Sequence, residues 1–110
     1  MSSRQSTVDF ILDQIAEAGT VRAKKMFGEY AIYCNEKVIA LVCDDQLFLK
    51  PTQAGKEFIK NYSEGLPYPG AKPYLLISAD LWDESEWLTT LVRITESELP
   101  ISKKKSITRR

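Results

Sequence analysis

The sequence predicts an α+β domain with two layers, in the order helix, three-stranded antiparallel meander, helix, two strands, helix. Apolar residues recur at helical spacing near both ends of the chain, and three runs rich in Ile, Val and Leu are separated by two-residue polar turns. With 110 residues, of which 44% are hydrophobic, the chain can bury one core without a disulfide or metal. We therefore expect a single domain over residues 7–99, preceded by a flexible N-terminus over residues 1–6.

The first helix is predicted over residues 7–18. From Val8 onwards, apolar residues recur at intervals of three and four, which is typical of an amphipathic helix. Ser6 with Asp9 resembles a capping box that would open this helix, and Gly19 is placed to end it.

Gly28 interrupts an apolar, aromatic-rich stretch over residues 24–33 that otherwise has the composition of a strand. A glycine inside a strand pattern usually marks a bulge or a place where another backbone comes close. The sequence therefore predicts either a β-bulge with a positive φ at Gly28 or a close approach of another backbone there.

The residues around this glycine are the candidate interaction residues: Phe27, Gly28, Tyr30 and Tyr33. The aromatic rings can pack against the core or a protein partner, or they can stack nucleobases on an open sheet. Stacking of nucleobases needs basic residues interleaved on the same surface, and only two lysines directly precede this group. Packing is therefore the favoured interpretation.

Three strands are predicted after the glycine, over residues 30–34, 38–43 and 46–50, because these runs are rich in Ile, Val, Leu and Tyr. Asn35-Glu36 and Asp44-Asp45 separate them as two-residue turns, in which Asn and Asp tolerate positive φ. The two aspartates could also bind a cation, but acids are ordinary residues in such turns.

Two-residue turns also fix how the strands pair. The predicted partners are Tyr33 with Val38, Ile32 with Ile39, Ala31 with Ala40, and Leu41 with Phe48. This pairing places mainly apolar side chains on both faces of the sheet: Ala31, Tyr33, Val38, Ala40, Val42, Leu47 and Leu49 on one face, and Tyr30, Ile32, Cys34, Ile39, Leu41, Cys43 and Phe48 on the other. A sheet with one wet face alternates apolar and polar residues. Both faces are therefore predicted to be covered, by helices on each side or by a partner chain.

Four further elements complete the predicted fold. They are a helix over residues 53–62 capped by Thr52, a loop or short edge strand over 66–72, an apolar strand over 74–78, and a last helix that ends before Pro100. Asp83 with Glu86 resembles a capping box that would open the last helix.

The chain contains no histidine, which excludes the usual zinc sites, His-based triads and imidazole acid–base catalysis. Cys34 and Cys43 are expected to be free and to behave as small buried hydrophobic residues rather than as a redox or metal site. We predict no catalytic, cofactor-binding or metal-binding residue, and therefore no enzyme activity.

Basic residues concentrate near the C-terminal end, at Lys103, Lys104, Lys105, Arg109 and Arg110. Without these five, ten Lys and Arg remain against fifteen Asp and Glu, so residues 1–102 carry a net charge of about −5. An acidic body is a poor footprint for DNA. Residues 100–110 are therefore predicted to be a basic, flexible tail that contacts nucleic acid weakly and non-specifically, or contacts an acidic partner.

Hydropathy gives no sign of a membrane protein. No apolar run approaches the length of a membrane span, and the first 20 residues hold no continuous apolar stretch. The sequence thus predicts no membrane contact, no signal peptide and a cytoplasmic location.

The order of several short motifs resembles the TfoX/Sxy N-terminal domain family, bacterial regulators associated with natural competence. The motifs are Arg22 to Tyr33 with Met26-Phe27-Gly28, Ala40-Leu41-Val42, Gln46 to Lys50, Tyr68-Pro69, Pro73-Tyr74 and Trp87-Leu88. The resemblance extends over about residues 7 to 98 and rests on the order and spacing of these motifs together.

This resemblance implies a function as well as the element order given above. Family regulators are thought to act through contacts with a transcription activator, the cyclic-AMP receptor protein, and the family supplies no catalytic residues. They also have a C-terminal helical domain, so the chain is expected to be a stand-alone N-terminal domain. We therefore expect a non-catalytic protein-interaction and regulatory module, with a homodimer as one arrangement. The alternative is a nucleic-acid-binding accessory protein that uses the basic tail.

Overall fold

The computed structural model describes residues 3–26 and 28–100. The helices are α1 (Gln5–Gln14), α2 (Gln53–Ile59) and α3 (Ser85–Glu98), with short 3-10 helices at Ala16–Ala18 and Ala79–Leu81. The strands are β1 (Val21–Met26), β2 (Glu29–Cys34), β3 (Lys37–Cys43), β4 (Gln46–Leu49), β5 (Ser63–Gly65) and β6 (Tyr74–Ile77). Within the described residues, the strands form one antiparallel sheet in the order β1-β2-β3-β4-β6-β5.

The core lies between the sheet and its helices. α1 contributes Val8, Ile11 and Ile15, α3 contributes Leu88, Leu91 and Val92, and the sheet contributes Ile32, Ala40, Leu49 and Leu75. Because the apolar residues of α1 and α3 recur every three or four positions, each helix turns one apolar stripe toward the sheet. The predicted two-layer α+β class is confirmed.

β1 is a strand that the sequence prediction did not separate from β2. It pairs with β2 along its whole length, from Val21 opposite Cys34 to Met26 opposite Glu29. A bulge at Gly28 is therefore wrong, because Gly28 lies in the turn of a hairpin, but another backbone does come close, since the Ser3 N–H donates to the Gly28 carbonyl at 3.3 Å. The predicted positive φ is confirmed at 82°. Charged residues along β1 hid its strand character, and such charges are common on edge strands, where they discourage pairing with other chains.

Both two-residue turns form as predicted. Asn35 and Glu36 have φ of 53° and 68°, and Asp44 and Asp45 have φ of 54° and 56°. Two consecutive positive φ values define a type I′ turn, whose twist matches that of the flanking strands.

A β-bulge in β3 changes the predicted register. Tyr33 does lie opposite Val38, and Leu41 opposite Phe48, but Ile32 lies opposite Ala40 rather than Ile39. Ile39 is the extra residue, so both Ile39 and Ala40 project toward the helices and are buried.

The one-residue shift also corrects the predicted division of the faces. Ala40, Val42, Leu47 and Leu49 lie with Ile32 on the helix side, and Leu41, Cys43 and Phe48 lie with Ala31 on the other side. A shift of one residue moves every later side chain of a strand to the opposite face. The interpretation that helices lie on each side is wrong for the described residues, because the three α-helices pack on the same side.

Neither predicted capping box forms. α1 begins at Gln5, earlier than Thr7, and Asp9 accepts a hydrogen bond from the Gln5 side chain instead. α3 begins at Ser85, whose hydroxyl donates to the carbonyl of Gln14 at the end of α1. The Ser85 hydroxyl thus satisfies a carbonyl at the end of α1, and no side chain of the described residues makes an N-cap hydrogen bond to α1 or α3.

The segment after β4 agrees with the sequence in outline. Thr52 caps α2 as predicted, its Oγ1 accepting from the Gly55 N–H at 3.0 Å. α2 ends at Ile59, because Lys60 has a φ of 71° that no helix continues. The edge strand forms at Ser63–Gly65, before the segment 66–72, which is a loop.

Candidate interaction surface

We call the side of the sheet that carries no helix in the described residues the helix-free face. One row of cross-strand neighbours runs over it from edge to edge: Lys24, Ala31, Leu41, Phe48, Leu76 and Ser63. Ala31, Cys43 and Phe48 on this face are buried, yet they stand outside the main core cluster. The helix-free face is therefore a second apolar surface.

The loop between β5 and β6 covers part of this surface. Pro67 is buried, and Gly65 comes so close to the ring of Phe48 that an added Cβ would lie 3.0 Å from it. The cover is incomplete, because Leu66 is 57% exposed and Tyr68 54% exposed. Large apolar side chains are thus presented to solvent next to an apolar sheet.

An apolar cleft opens between this loop and the strands. Its volume is about 570 Å³. It is lined by Met26, Glu29, Tyr30, Leu41, Cys43, Asp44, Pro67, Tyr68 and Pro69. Among these lining residues, the charged side chains are the acids Glu29 and Asp44. Both lie at the same end of the sheet, Glu29 at the start of β2 and Asp44 just after β3.

A network of hydrogen bonds, which we call the turn network, fixes that end of the cleft. The buried hydroxyl of Ser3 donates to Glu29 Oε1 at 2.6 Å and accepts from the Asp45 N–H at 3.0 Å. Glu29 Oε1 also accepts from the Asp44 N–H at 3.2 Å. The Ser3 N–H donates to the carbonyl of Gly28 at 3.3 Å. The N-terminal segment therefore ties the β1–β2 turn to the β3–β4 turn.

Asp45 extends the network to the start of α1. Its Oδ1 accepts from the backbone N–H of Arg4 and from the hydroxyl of Thr7, both at 2.9 Å. The hydrogen bond from Arg4, with that from Thr7, lowers the pKa of the Asp45 carboxyl. Asp45 thus ties the N-cap residue of α1 and its first turn to the β3–β4 turn.

The structure separates the predicted interaction residues. Tyr30 is buried on the helix side, where its hydroxyl donates to Gln5 Oε1 at 2.9 Å, although it also borders the cleft. Tyr33 lies on the helix-free face, with the Arg22 guanidinium 4.1 Å from its ring centroid. The two tyrosines are three residues apart, so they point to opposite faces.

The other residues predicted to contact a partner are Gly28, Phe27 and the basic residues near the C-terminal end. Gly28 lies in the β1–β2 turn beside the cleft. Phe27 lies outside the described residues, and so do the basic residues Lys103, Lys104, Lys105, Arg109 and Arg110.

Sequence reasoning missed most of the cleft. The predicted register places Leu41 and Cys43 on the face opposite Ala31 and Tyr33, so it does not bring them to this surface, and no sequence signal marks Pro67. The Tyr68-Pro69 motif of the sequence does border the cleft. Ser3 was treated as part of a flexible end, and its sequence context carries no signal of the turn network.

Both cysteines are free and buried, as expected. Desolvation raises the pKa of the Cys43 thiol to about 11, with a smaller contribution from the carboxylate of Glu29. Desolvation also raises the pKa of Cys34, whose Sγ lies 3.8 Å from the carbonyl of Ala18. Because Cys34 and Cys43 are at opposite ends of the β2–β3 hairpin and on opposite faces, they cannot bond within one chain.

In residues 3–26 and 28–100, no three His, Cys, Asp or Glu side chains lie close enough together to hold a metal ion. None of the helices in the same ranges has the length and apolar character needed to cross a membrane.

A second groove, of about 680 Å³, lies between the ends of α1 and α2 and the start of α3. Its lining is mostly polar, and Arg93 there donates to the carbonyl of Glu17 at 2.7 Å. The apolar cleft is the better candidate, because small and peptide ligands are bound mainly by apolar surface with a few placed polar groups.

Comparison with known proteins identifies the family. The sequence model of the TfoX N-terminal domain matches residues 13–99. A protein of Spirochaeta aurantia, described as an uncharacterized 12.7 kDa protein in the trpE 5′ region, is 43% identical over 103 residues, covering 94% of this chain and 89% of its own length. Protein Sxy of Escherichia coli strain K12 is 26% identical over 100 residues, covering 88% of this chain. The chain spans 48% of Sxy. The chain belongs to the TfoX N-terminal domain family.

Proposed function

We propose that this chain is a non-catalytic module that binds a protein partner through the helix-free face and acts in regulation, as competence regulators of its family do. The observation that carries the proposal is the apolar cleft with Leu66 and Tyr68 exposed beside it. Exposed apolar patches next to polar rims commonly mark protein interaction sites. Tyr is also enriched in the residues that contribute most to binding.

The acids of the cleft support a structural and recognition role. Glu29 holds Ser3 and the Asp44 backbone through its carboxylate, so it maintains the shape of the cleft. Asp44 is exposed at the rim, where a carboxylate can select a partner by charge. We assign the partner to the transcription regulators and the site of action to the cytoplasm, on the strength of the family.

Site-specific photo-cross-linking in the source cells tests this proposal. A photoreactive phenylalanine replaces Tyr68 in the full chain, and the matched control replaces Phe10, which is 43% exposed on α1. We expect a discrete cross-linked protein from position 68 and none from position 10. Equal cross-linking from both positions, or none from position 68, would reject the helix-free face as the binding surface.

A variant then checks the chemistry of the surface. Leu41→Lys places a charge at the floor of the cleft, and we expect it to abolish cross-linking from position 68. Glu57→Lys makes a comparable surface change on exposed α2 and should leave cross-linking unchanged. Circular dichroism confirms that both variants are folded.

Nucleic-acid binding is the second candidate, and one observation favours it. Arg22 and Lys24 lie on the helix-free face, and Arg22 stacks on Tyr33, so one corner of the face combines cations with an aromatic ring. Such a combination can bind single strands by stacking and charge.

A further inference from the structure

We infer that the apolar cleft binds the basic C-terminal segment, residues 101–110, of a second copy of the chain. The inference concerns the same surface as the proposed function and names a second occupant for it. A segment that fills the cleft competes with the protein partner, so self-association would regulate access to the site.

The cleft fits a ligand that is apolar in its centre and positive at its rim. Leu41, Cys43 and Pro67 form apolar walls, and the charges among the described lining residues are the acids Glu29 and Asp44. The Asp44 carboxylate is exposed in a turn, free to meet a cation from outside. Opposite charges across an interface fix orientation and exclude wrong partners.

Residues 101–110 have this composition. Ile107 is an apolar residue flanked by Lys105 two positions before it and Arg109 two positions after it. The segment carries five cations and no acid, whereas residues 1–102 carry ten Lys and Arg against fifteen Asp and Glu, a net of about −5. The segment and the rest of the chain are therefore complementary in charge.

The distance from the end of α3 to the cleft decides whether residues 101–110 of the same chain or of a second copy can occupy it. The carbonyl of Leu99 lies 2.9 Å from Lys37 Nζ at the beginning of β3, whereas the cleft lies at the far end of β3 on the opposite face. The path is roughly 20 Å along the strand and about 10 Å around the sheet, on the order of 30 Å. Ile107 is seven residues beyond Pro100, which span at most about 25 Å. A second copy supplies the segment without this restriction, and two copies can exchange segments.

Sedimentation equilibrium of the full chain tests the inference. We expect a dimer at low salt that weakens as NaCl is raised. Asp44→Lys should weaken it about tenfold or more, because it brings like charges together. Asp13→Lys, an equal charge change on exposed α1, should leave the dimer unchanged.

Reversing charges in the C-terminal segment tests whether that segment is the part of the second copy that meets Asp44. Lys105→Glu with Arg109→Glu should also weaken the dimer about tenfold, and combining these changes with Asp44→Lys should restore much of the affinity. Ile107→Asp alters the inserted segment rather than the cleft, so it should weaken the dimer even if Asp44→Lys impairs folding.

A synthetic peptide of residues 100–110, carrying a fluorescent label, gives a second readout with the full chain. Anisotropy should show binding that Asp44→Lys reduces and Asp13→Lys does not. A wild-type chain that remains monomeric at several hundred micromolar and does not bind the peptide overturns the inference. A dimer that is indifferent to both Asp44→Lys and Ile107→Asp overturns it as well.

The outcomes of these experiments distinguish failure of this inference from failure of the proposed function. Cross-linking of a different protein at position 68, with no binding of the peptide, keeps the proposed function and removes the exchange of segments. Peptide binding without any cross-linked partner other than a second copy keeps the exchange and removes the heterologous partner.

Discussion

The Lys37 side chain of β3 caps the C-terminal end of α3 and forms an ion pair with Glu96 there. The Lys37 ammonium lies 3.0 Å from the Glu96 carboxylate and donates to the carbonyls of Glu96 and Leu99 at 3.0 and 2.9 Å. The two side chains are only 15% and 21% exposed. Each of the three ammonium protons thus has an acceptor, and the positive charge lies at the helix end that favours it.

Replacing Lys37 should therefore destabilise the fold. Lys37→Ala leaves the Glu96 carboxylate and two helix carbonyls without this donor, and we expect a loss of about 2 kcal/mol in the free energy of unfolding. Thermal denaturation should show a melting temperature lower by roughly 8–15 °C. Lys24→Ala on the exposed edge strand is the control, with an expected change within about 0.5 kcal/mol. Similar losses from the two variants would show that the cap at α3 contributes little.

Gly28 should tolerate only residues that accept a positive φ. Its φ of 82° disfavours a β-branched side chain, so Gly28→Val should cost about 1–2 kcal/mol. Asn enters this conformation more readily, and Gly28→Asn should cost clearly less. Urea denaturation of the three proteins measures the difference. The prediction is contradicted if the Val and Asn variants have the same midpoint.

Cys43 should be slow to react and should make the fold sensitive to alkali. Burial raises the pKa of its thiol to about 11, so at pH 8 only about one part in a thousand is thiolate, a few hundredfold less than for a free cysteine with a pKa of about 8.5. Iodoacetamide followed by mass measurement should find Cys43 largely unmodified until the chain is unfolded.

The sign of the accompanying stability change follows from linkage. The raised pKa favours the neutral thiol in the folded state, so this contribution is present below the unfolded pKa of about 8.5 and is lost as pH rises toward 11. Cys43→Ala should therefore lose less stability than the wild type between pH 8.5 and 11. Rapid labelling of the folded protein, or identical alkaline profiles for the two proteins, would argue against a desolvated thiol.

Binding to DNA should be weak, non-specific and dependent on the five cations of residues 103–110. If all five contacted phosphates, the slope of log affinity against log salt would be at most about −4.5. Replacing the five by Gln should abolish binding at low salt, whereas Arg22→Gln with Lys24→Gln should leave it unchanged. Titrations monitored by anisotropy measure both. Tight binding of one sequence near 150 mM salt that depends on Arg22 and Lys24 would favour the nucleic-acid function instead.

Local chemistry explains which parts of the fold were predictable. The turns at Asn35-Glu36 and Asp44-Asp45 are set by residues that accept positive φ, and both were recognised. Neither capping box forms, and the side-chain hydrogen bonds near the helix ends join distant positions instead. Asp45 accepts from Thr7 across 38 positions, and Ser85 donates to Gln14 across 71. No short window of sequence contains such a pair.

The candidate surface was harder to predict for the same reason. Tyr33 was identified by its type, but assigning Leu41 and Cys43 to its face needs the register, and the bulge at Ile39 has no mark in the sequence. Pro67 and Tyr68 come from a loop whose position depends on how β5 and β6 close the sheet. The aromatic composition of the surface was therefore predictable and its geometry was not.

The bulge at Ile39 determines which face of the sheet each later side chain of β3 occupies. If β3 paired with β2 without the bulge, Ile39 would lie opposite Ile32 and Ala40 opposite Ala31, which would carry Leu41 and Cys43 into the layer of the helices and bring Ala40 and Val42 out to the binding surface. Deletion of Ile39 alone would instead leave these pairs as they are, because the bulge residue has no partner in β2. A comparison of binding residues among relatives must align this bulge first, since otherwise each later position of the strand is compared with the wrong face.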